Sequence, residues 1–112
     1  MPKYERFEDL PVWQEAARLY NSALDLLEEY GAMFTAAFRN QLDRAALSVS
    51  NNIAEGFERV TTAELLSFLS ISRGSAGEVR SMIAVIFTRP KMKSITTRLA
   101  ALPRWRNPAR GN

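Results

Sequence analysis

The strongest periodic signal in the chain runs from residue 41 to residue 59. Leu42, Ala46, Val49, Ile53 and Phe57 recur three or four residues apart, and Ala45 widens the same side. That spacing predicts a helix with one face in a core. This helix starts either with Thr35 as its cap or already at Phe34, and runs to Phe57 or Arg59. Ahead of it, Val12, Ala16, Leu19, Ala23, Leu26 and Tyr30 keep the helical period, thickened by Tyr20 and Leu27. Asp9 is placed to cap this first helix, and Pro11 suits a first turn whose amide has no partner. Gly31 is expected to end it in the left-handed conformation. Phe7 and Leu10 are expected to fold back onto the helix, with Trp13 partly buried as a packing anchor.

A turn over 60–62 leads to a third helix starting at Thr61 or Thr62, where Thr61 and Glu64 have the spacing of a capping box. Its core stripe is Leu65, Leu69, Ser72, Ala76, Val79, Ile83 and Ile86, and Leu66, Phe68, Met82 and Val85 widen it. Pro90 breaks the pattern by removing a backbone donor. Met92, Ile95, Leu99 and Leu102 then share one side of a short helix over 91–102, which Pro103 stops. The fold class predicted is all-α, an antiparallel helical bundle of the four-helix type with a short or atypical fourth helix. The chain divides into a polar lead over 1–10, the bundle over 11–102, and a basic, poorly ordered tail over 103–112.

Glycines carry a further expectation. Gly56 falls late in the second helix, where glycine costs roughly 1 kcal/mol against alanine. Close approach of another element would justify it. Gly74 and Gly77 weaken the third helix intrinsically, so tertiary contacts must hold it. They do not form a phosphate-binding loop, because the GxxxxGK[ST] order and a preceding strand are both missing.

The second helix has another stripe, and it is polar: Gln41, Arg44, Ser48, Asn52, Glu55 and Arg59. Each of these groups makes directed hydrogen bonds, and either arginine fits Glu55 as a bidentate partner. Two readings stand side by side, with an ordinary wet surface as a third. One is a satisfied polar network inside the bundle or at a subunit seam, which specifies one arrangement only when complete. The other has Arg44 and Arg59, with Asn52, reaching an outside ligand such as a phosphate. On the third helix, Glu78 is placed to pair with Arg44 or Arg59. A Glu55–Glu78 carboxylate pair is a poor metal site without histidine or an ExxH motif.

Composition narrows the chemistry. The chain of 112 residues holds one domain at most, and a monomer of this size gains from oligomerisation. It has no cysteine, hence no disulfide, thiolate nucleophile or thiolate metal ligand. It has no histidine, which removes the commonest metal ligand and the commonest general base. The start is polar without a signal-peptide core, and no apolar run approaches the ~18 residues of a membrane span. Cytoplasmic residence, no membrane association, no cofactor and no small-molecule substrate are expected.

Net charge is +3 and unevenly spread. Residues 89–112 carry seven of the 15 basic groups (Arg89, Lys91, Lys93, Arg98, Arg104, Arg106 and Arg110) and no acid. The first 88 residues therefore hold eight basic groups against all 12 acids, a balance of −4. A basic end of this kind attracts phosphate backbones or acidic protein surfaces, with affinity that falls as salt rises. Trp105 between Arg104 and Arg106 suits stacking on a base with phosphates to either side.

FEDLPVW at 7–13, QLDRAALSVSNNIAEGFER at 41–59 and RGSAGEV at 73–79 together resemble the proteins encoded in intervening sequences of bacterial 23S ribosomal RNA genes. That family is similar to the accessory proteins of diversity-generating retroelements. The resemblance covers roughly 7–87, in order. It implies an antiparallel helical bundle that assembles into a ring, typically a pentamer, and no enzyme. For the retroelement relatives it implies binding of nucleic acid and of a reverse transcriptase partner. It marks Arg44, Asn52, Glu55, Gly56, Arg59, Arg73 and Glu78 as a motif network of structural character. Relatives continue after the third helix with a long amphipathic fourth, which this chain replaces with a proline and a basic, irregular end.

The expected function is that of a non-enzymatic, oligomeric RNA- or DNA-binding accessory protein acting through its basic end. The alternative is an assembly scaffold that docks a nucleic-acid-processing enzyme without touching nucleic acid, with Tyr4, Phe7 and Trp13 as available anchors. An enzyme would have to rest on Glu55, Glu78 and arginines, whose salt bridges explain the same residues.

Overall fold

A computed structural model describes residues 3–92. Three helices make up the body: α1 (Pro11–Tyr30), α2 (Ala36–Phe57) and α3 (Thr62–Ile86). Short 3-10 turns lie at Phe7–Asp9, Gly31–Met33 and Pro90–Met92, and there is no strand among the described residues.

The ends of the helices follow local chemistry. Leu10, not Asp9, precedes α1, and no side chain caps it; Asp9 closes the preceding 3-10 turn instead. Pro11 takes the first helical position as expected. Gly31 stays right-handed, with φ −57°, and begins a 3-10 turn. The expected left-handed cap is replaced by Arg39, whose guanidinium donates to the carbonyls of Gly31 (2.9 Å) and Phe34 (2.6 Å). One long side chain thus ties both ends of the Gly31–Met33 turn to α2, the Gly31 carbonyl also accepting from the Phe34 amide at 3.1 Å. Thr35 caps α2 by accepting from the Phe38 amide at 3.1 Å. Thr61 and Glu64 form the reciprocal capping box of α3.

α2 is the central element. Seven of its residues are buried: Leu42, Ala45, Ala46, Val49, Ser50, Ile53 and Gly56. α1 and α3 both pack on α2 and hardly touch one another. Both neighbours run antiparallel to it. Contacts pair Gln41 with Glu78, Ser48 with Ser75 and Gly56 with Leu65, and pair Tyr20 with Asp43 on the other side.

The core has two parts. One joins Ala23 and Leu26 of α1, Phe34, Leu42, Ala45 and Ala46, and Val79, Ile83 and Ile86 of α3, closed by Met92 at 1% exposure. The other gathers Ala16, Val49 and Ile53 with Leu10, Trp13, Leu19, Leu69 and Ala76. Complete burial of Leu42 alone is worth about 1.5–3 kcal/mol. Phe7 folds back on Trp13, with ring centroids 5.4 Å apart.

Three assigned core positions are corrected. Val12, Leu66 and Val85 are more than half exposed. Val12 borders open hollows between α1 and α3 that no side chain of the described residues fills, and Leu66 and Val85 lie on the side of α3 turned away from α2. The described residues form three helices, joined by short 3-10 turns. Lys91 and Met92 belong to the 3-10 turn at Pro90–Met92, and the rest of the expected fourth helix lies outside the described residues. No helix of the described residues is long and apolar enough to cross a membrane.

Candidate functional site

The α2–α3 seam gathers some of the motif residues, Asn52, Gly56 and Glu78 among them. At one end the Gln41 amide donates to the Glu78 carboxylate. Ser75 donates to the Ser48 hydroxyl at 2.9 Å, and Asn52 donates to the same hydroxyl (2.9 Å) and to the Ser48 carbonyl (2.8 Å). Between these, the buried Ser72 hydroxyl donates to the Val49 carbonyl at 2.8 Å. Towards the other end, an alanine-like Cβ on Gly56 would meet Leu65 Cδ1 and Phe68 Cβ, each at 3.1 Å. The close approach expected from Gly56 is therefore made by α3.

Just beyond, Arg59 pairs with Glu55 one turn back and lies 4.8 Å over the Phe68 ring. A charge over an aromatic face and a carboxylate in the last turn of α2 hold this guanidinium, which stands just past the helix end. Arg59 also stands at the rim of an apolar hollow of about 350 Å³ bordered by Leu10, Val12, Ile53, Leu65 and Leu69. A second groove of about 400 Å³ continues between α1 and α3, over Ala16, Leu19, Val49, Leu69 and Ala76, with Glu15 and Arg73 at its edges.

The polar stripe is not buried as a unit. Ser48 and Asn52 are half-buried, whereas Gln41, Arg44, Glu55 and Arg59 are exposed. Glu78 meets Gln41 rather than Arg44 or Arg59, which corrects its expected partner. Arg44 and Arg73 are exposed on separate helices. The two motif carboxylates are far apart. Glu78 stands level with Gln41 of α2, which is 14 residues, or roughly 20 Å at 1.5 Å per residue, from Glu55. Acid–base work shared between them is excluded by that distance, and no group of three or more metal-binding side chains exists among the described residues.

Arg89 and Lys91, the first two basic residues of the C-terminal stretch, are exposed beside buried Met92. Lys93, Arg98, Arg104, Trp105, Arg106 and Arg110 lie outside the described residues.

Sequence reasoning missed the role of Ser75, the Arg39 clamp, and the hydrogen bond that Tyr20 donates to Asp43 at 2.7 Å. That bond, to a carboxylate, raises the Tyr20 pKa above its ordinary value, with burial adding to it. The signal for Ser75 was its place one turn from Ser72 and Glu78; Arg39 and Asp43 carried none beyond their charge.

No protein of curated function and no solved structure matches the chain significantly. The family described as 23S rRNA-intervening sequence protein matches residues 8–98, which takes in all three helices and the whole seam. The chain belongs to the family of 23S rRNA-intervening sequence proteins.

Proposed function

We propose that this protein is a non-enzymatic, oligomeric accessory protein that binds RNA or DNA through its basic C-terminal stretch. The observation that carries this reading is the segregation of charge: seven basic groups and no acid over 89–112, on a body of balance −4. Met92 is packed in the core, so the stretch begins at a fixed point and Arg89 and Lys91 are presented beside it. Several copies in one assembly would sum their fields and raise affinity by multivalency.

The reading includes a short fourth helix following the Pro90–Met92 turn, within the expected 91–102 segment, a ring that is typically a pentamer, and cytoplasmic residence. The open apolar groove beside Leu19 and Ala76 supports the first of these. The ring and a nucleic-acid enzyme as partner rest on the resemblance of the sequence motifs at 7–13, 41–59 and 73–79 alone.

A second reading is an assembly scaffold that docks such an enzyme without touching nucleic acid. Tyr4, exposed ahead of the Phe7–Trp13 pair, is the aromatic anchor available to it.

The test is multi-angle light scattering of the purified protein, alone and with a short RNA or DNA duplex, at low and moderate salt. A ring that takes up the duplex and releases it as salt rises supports the first reading, since phosphate contacts release counterions. A ring that ignores the duplex moves the reading to the scaffold. A chain ending at Leu102 is expected to keep its fold and bind the duplex more weakly. Unchanged binding would remove residues 103–112 from the mechanism.

A further inference from the structure

The outward side of α3 carries a seven-residue pattern that the core of the chain does not use. Ser67, Gly74 and Ser81 recur seven apart, interleaved with Ser70, Gly77 and Ala84 at the complementary heptad positions, and all six are exposed. Built side chains at Gly74 and Gly77 would meet nothing within 4 Å. Two flanks border this strip. On one side lie Leu66, Arg73 and Arg80; on the other lie Ile71, Glu78 and Val85, all exposed. Leu66 and Val85 are each 59% exposed and Ile71 49%, a large apolar content for an unpaired flank.

The flanks identify the partner. In two parallel helices joined along a heptad seam, a residue on one flank meets the residue five positions later on the opposite flank of its neighbour. Applied to α3 and a second α3, this rule brings Leu66 to Ile71, Arg73 to Glu78 and Arg80 to Val85. The first pair is apolar on both sides. The second is oppositely charged. The third lays an arginine stem along a valine. The antiparallel alternative brings like flanks together and sets Arg73 against Arg80, which like charge disfavours.

We infer that the outward face of α3 is a self-association surface, on which a second copy of this chain seats its own α3 in parallel with Arg73 opposite Glu78. The small residues let the two backbones approach closely, and the flanks fix register and direction. The Glu78 carboxylate accepts from Gln41 with one oxygen, which leaves the other for the neighbouring guanidinium. The contact closes as a pair or repeats around a ring. This inference rests on the oligomeric part of the reading above and assigns its surface.

The chain has no cysteine, so single-cysteine variants report cleanly. Ser67→Cys and Ser81→Cys, both at exposed positions, are each treated with a short thiol-reactive crosslinker, and subunit number is read by light scattering. Each variant is expected to crosslink to its own kind. Arg73→Glu is expected to lower subunit number, and the double reversal Arg73→Glu with Glu78→Arg to restore it. An oligomer that crosslinks at neither position and ignores Arg73→Glu overturns this surface while leaving self-association standing. Linkage of Ser67→Cys to Ala84→Cys in a mixture, with neither self-linking, overturns the parallel register. A wild-type monomer at every concentration overturns both the surface and the oligomeric reading. The cysteine variants decide the matter even if Glu78→Arg weakens the fold through Gln41.

Discussion

Ser72 Oγ donates to the carbonyl oxygen of Val49 across 2.8 Å, a side-chain link from α3 to the backbone of α2 buried between them. Both residues are buried, so the bond is shielded from water and its loss leaves a polar position without its partner. Ser72→Ala is expected to cost about 1 kcal/mol. In thermal melts this corresponds to a fall in Tm of about 4–8 °C for a domain of this size. An unchanged Tm would show that the bond contributes nothing net.

Gly56 tests whether close packing or helix propensity dominates. Alanine would gain roughly 1 kcal/mol of helical preference. Its Cβ would also stand 3.1 Å from Phe68 Cβ, an atom tied to the α3 backbone. Leu65 Cδ1 can swing aside, whereas Phe68 Cβ can move only with its helix. Overpacking of this kind costs about 1–3 kcal/mol, so Gly56→Ala is expected to be destabilising on balance and Gly56→Leu more strongly so. Denaturant unfolding of the two variants beside the wild type gives the order. A stabilised alanine variant would mean that α3 yields.

The capping box at Thr61 is separable from the core, because both of its partners are exposed. Thr61→Ala is expected to cost about 1 kcal/mol, and Thr61→Ser much less, since serine keeps the acceptor for the Glu64 amide. Hydrogen exchange at the first turn of α3 should rise in the alanine variant alone. Equal protection in both would argue that packing, not capping, starts this helix.

Tyr20 makes a prediction about alkaline pH. Its hydrogen bond to Asp43 raises its pKa in the folded state. A group whose folded pKa is raised adds stability that is fully present below its unfolded pKa, about 10 for tyrosine, and lost as pH rises through the folded value. Stability of the wild type should therefore fall in the alkaline range more steeply than that of Tyr20→Phe. Parallel profiles in pH-dependent unfolding would remove the Tyr20–Asp43 bond from the balance.

The helices were legible because their signals are local. The apolar stripe of α2 and the Thr61–Glu64 spacing need only neighbours in sequence, and both stand as read. What failed needed knowledge of where other elements lie. Leu66 and Val85 read as core because period alone does not say which of two apolar sides meets α2. Gly31 read as a left-handed cap because glycine commonly serves so, yet Arg39 supplies the donors from the next helix. The polar stripe on α2 was visible, but its partners were not. Serine and glutamine reach only as far as their own seam, so the level of Glu78 on α3 decided its pairing with Gln41. Gly56 was the exception, since its energetic cost already asked for a neighbour.

Met92 sets the order in which the molecule becomes stable as it is made. The side chain that closes the larger core comes after all three helices in the chain, and it packs among residues as early as Ala23. On a ribosome, α1 and α2 emerge while the space Met92 will fill in the larger core is still open. A nascent chain halted at the end of α3 has its helices but an unsealed interior. Lys91 is therefore synthesised together with the plug of the core, and the packing of Met92 fixes where that exposed charge stands.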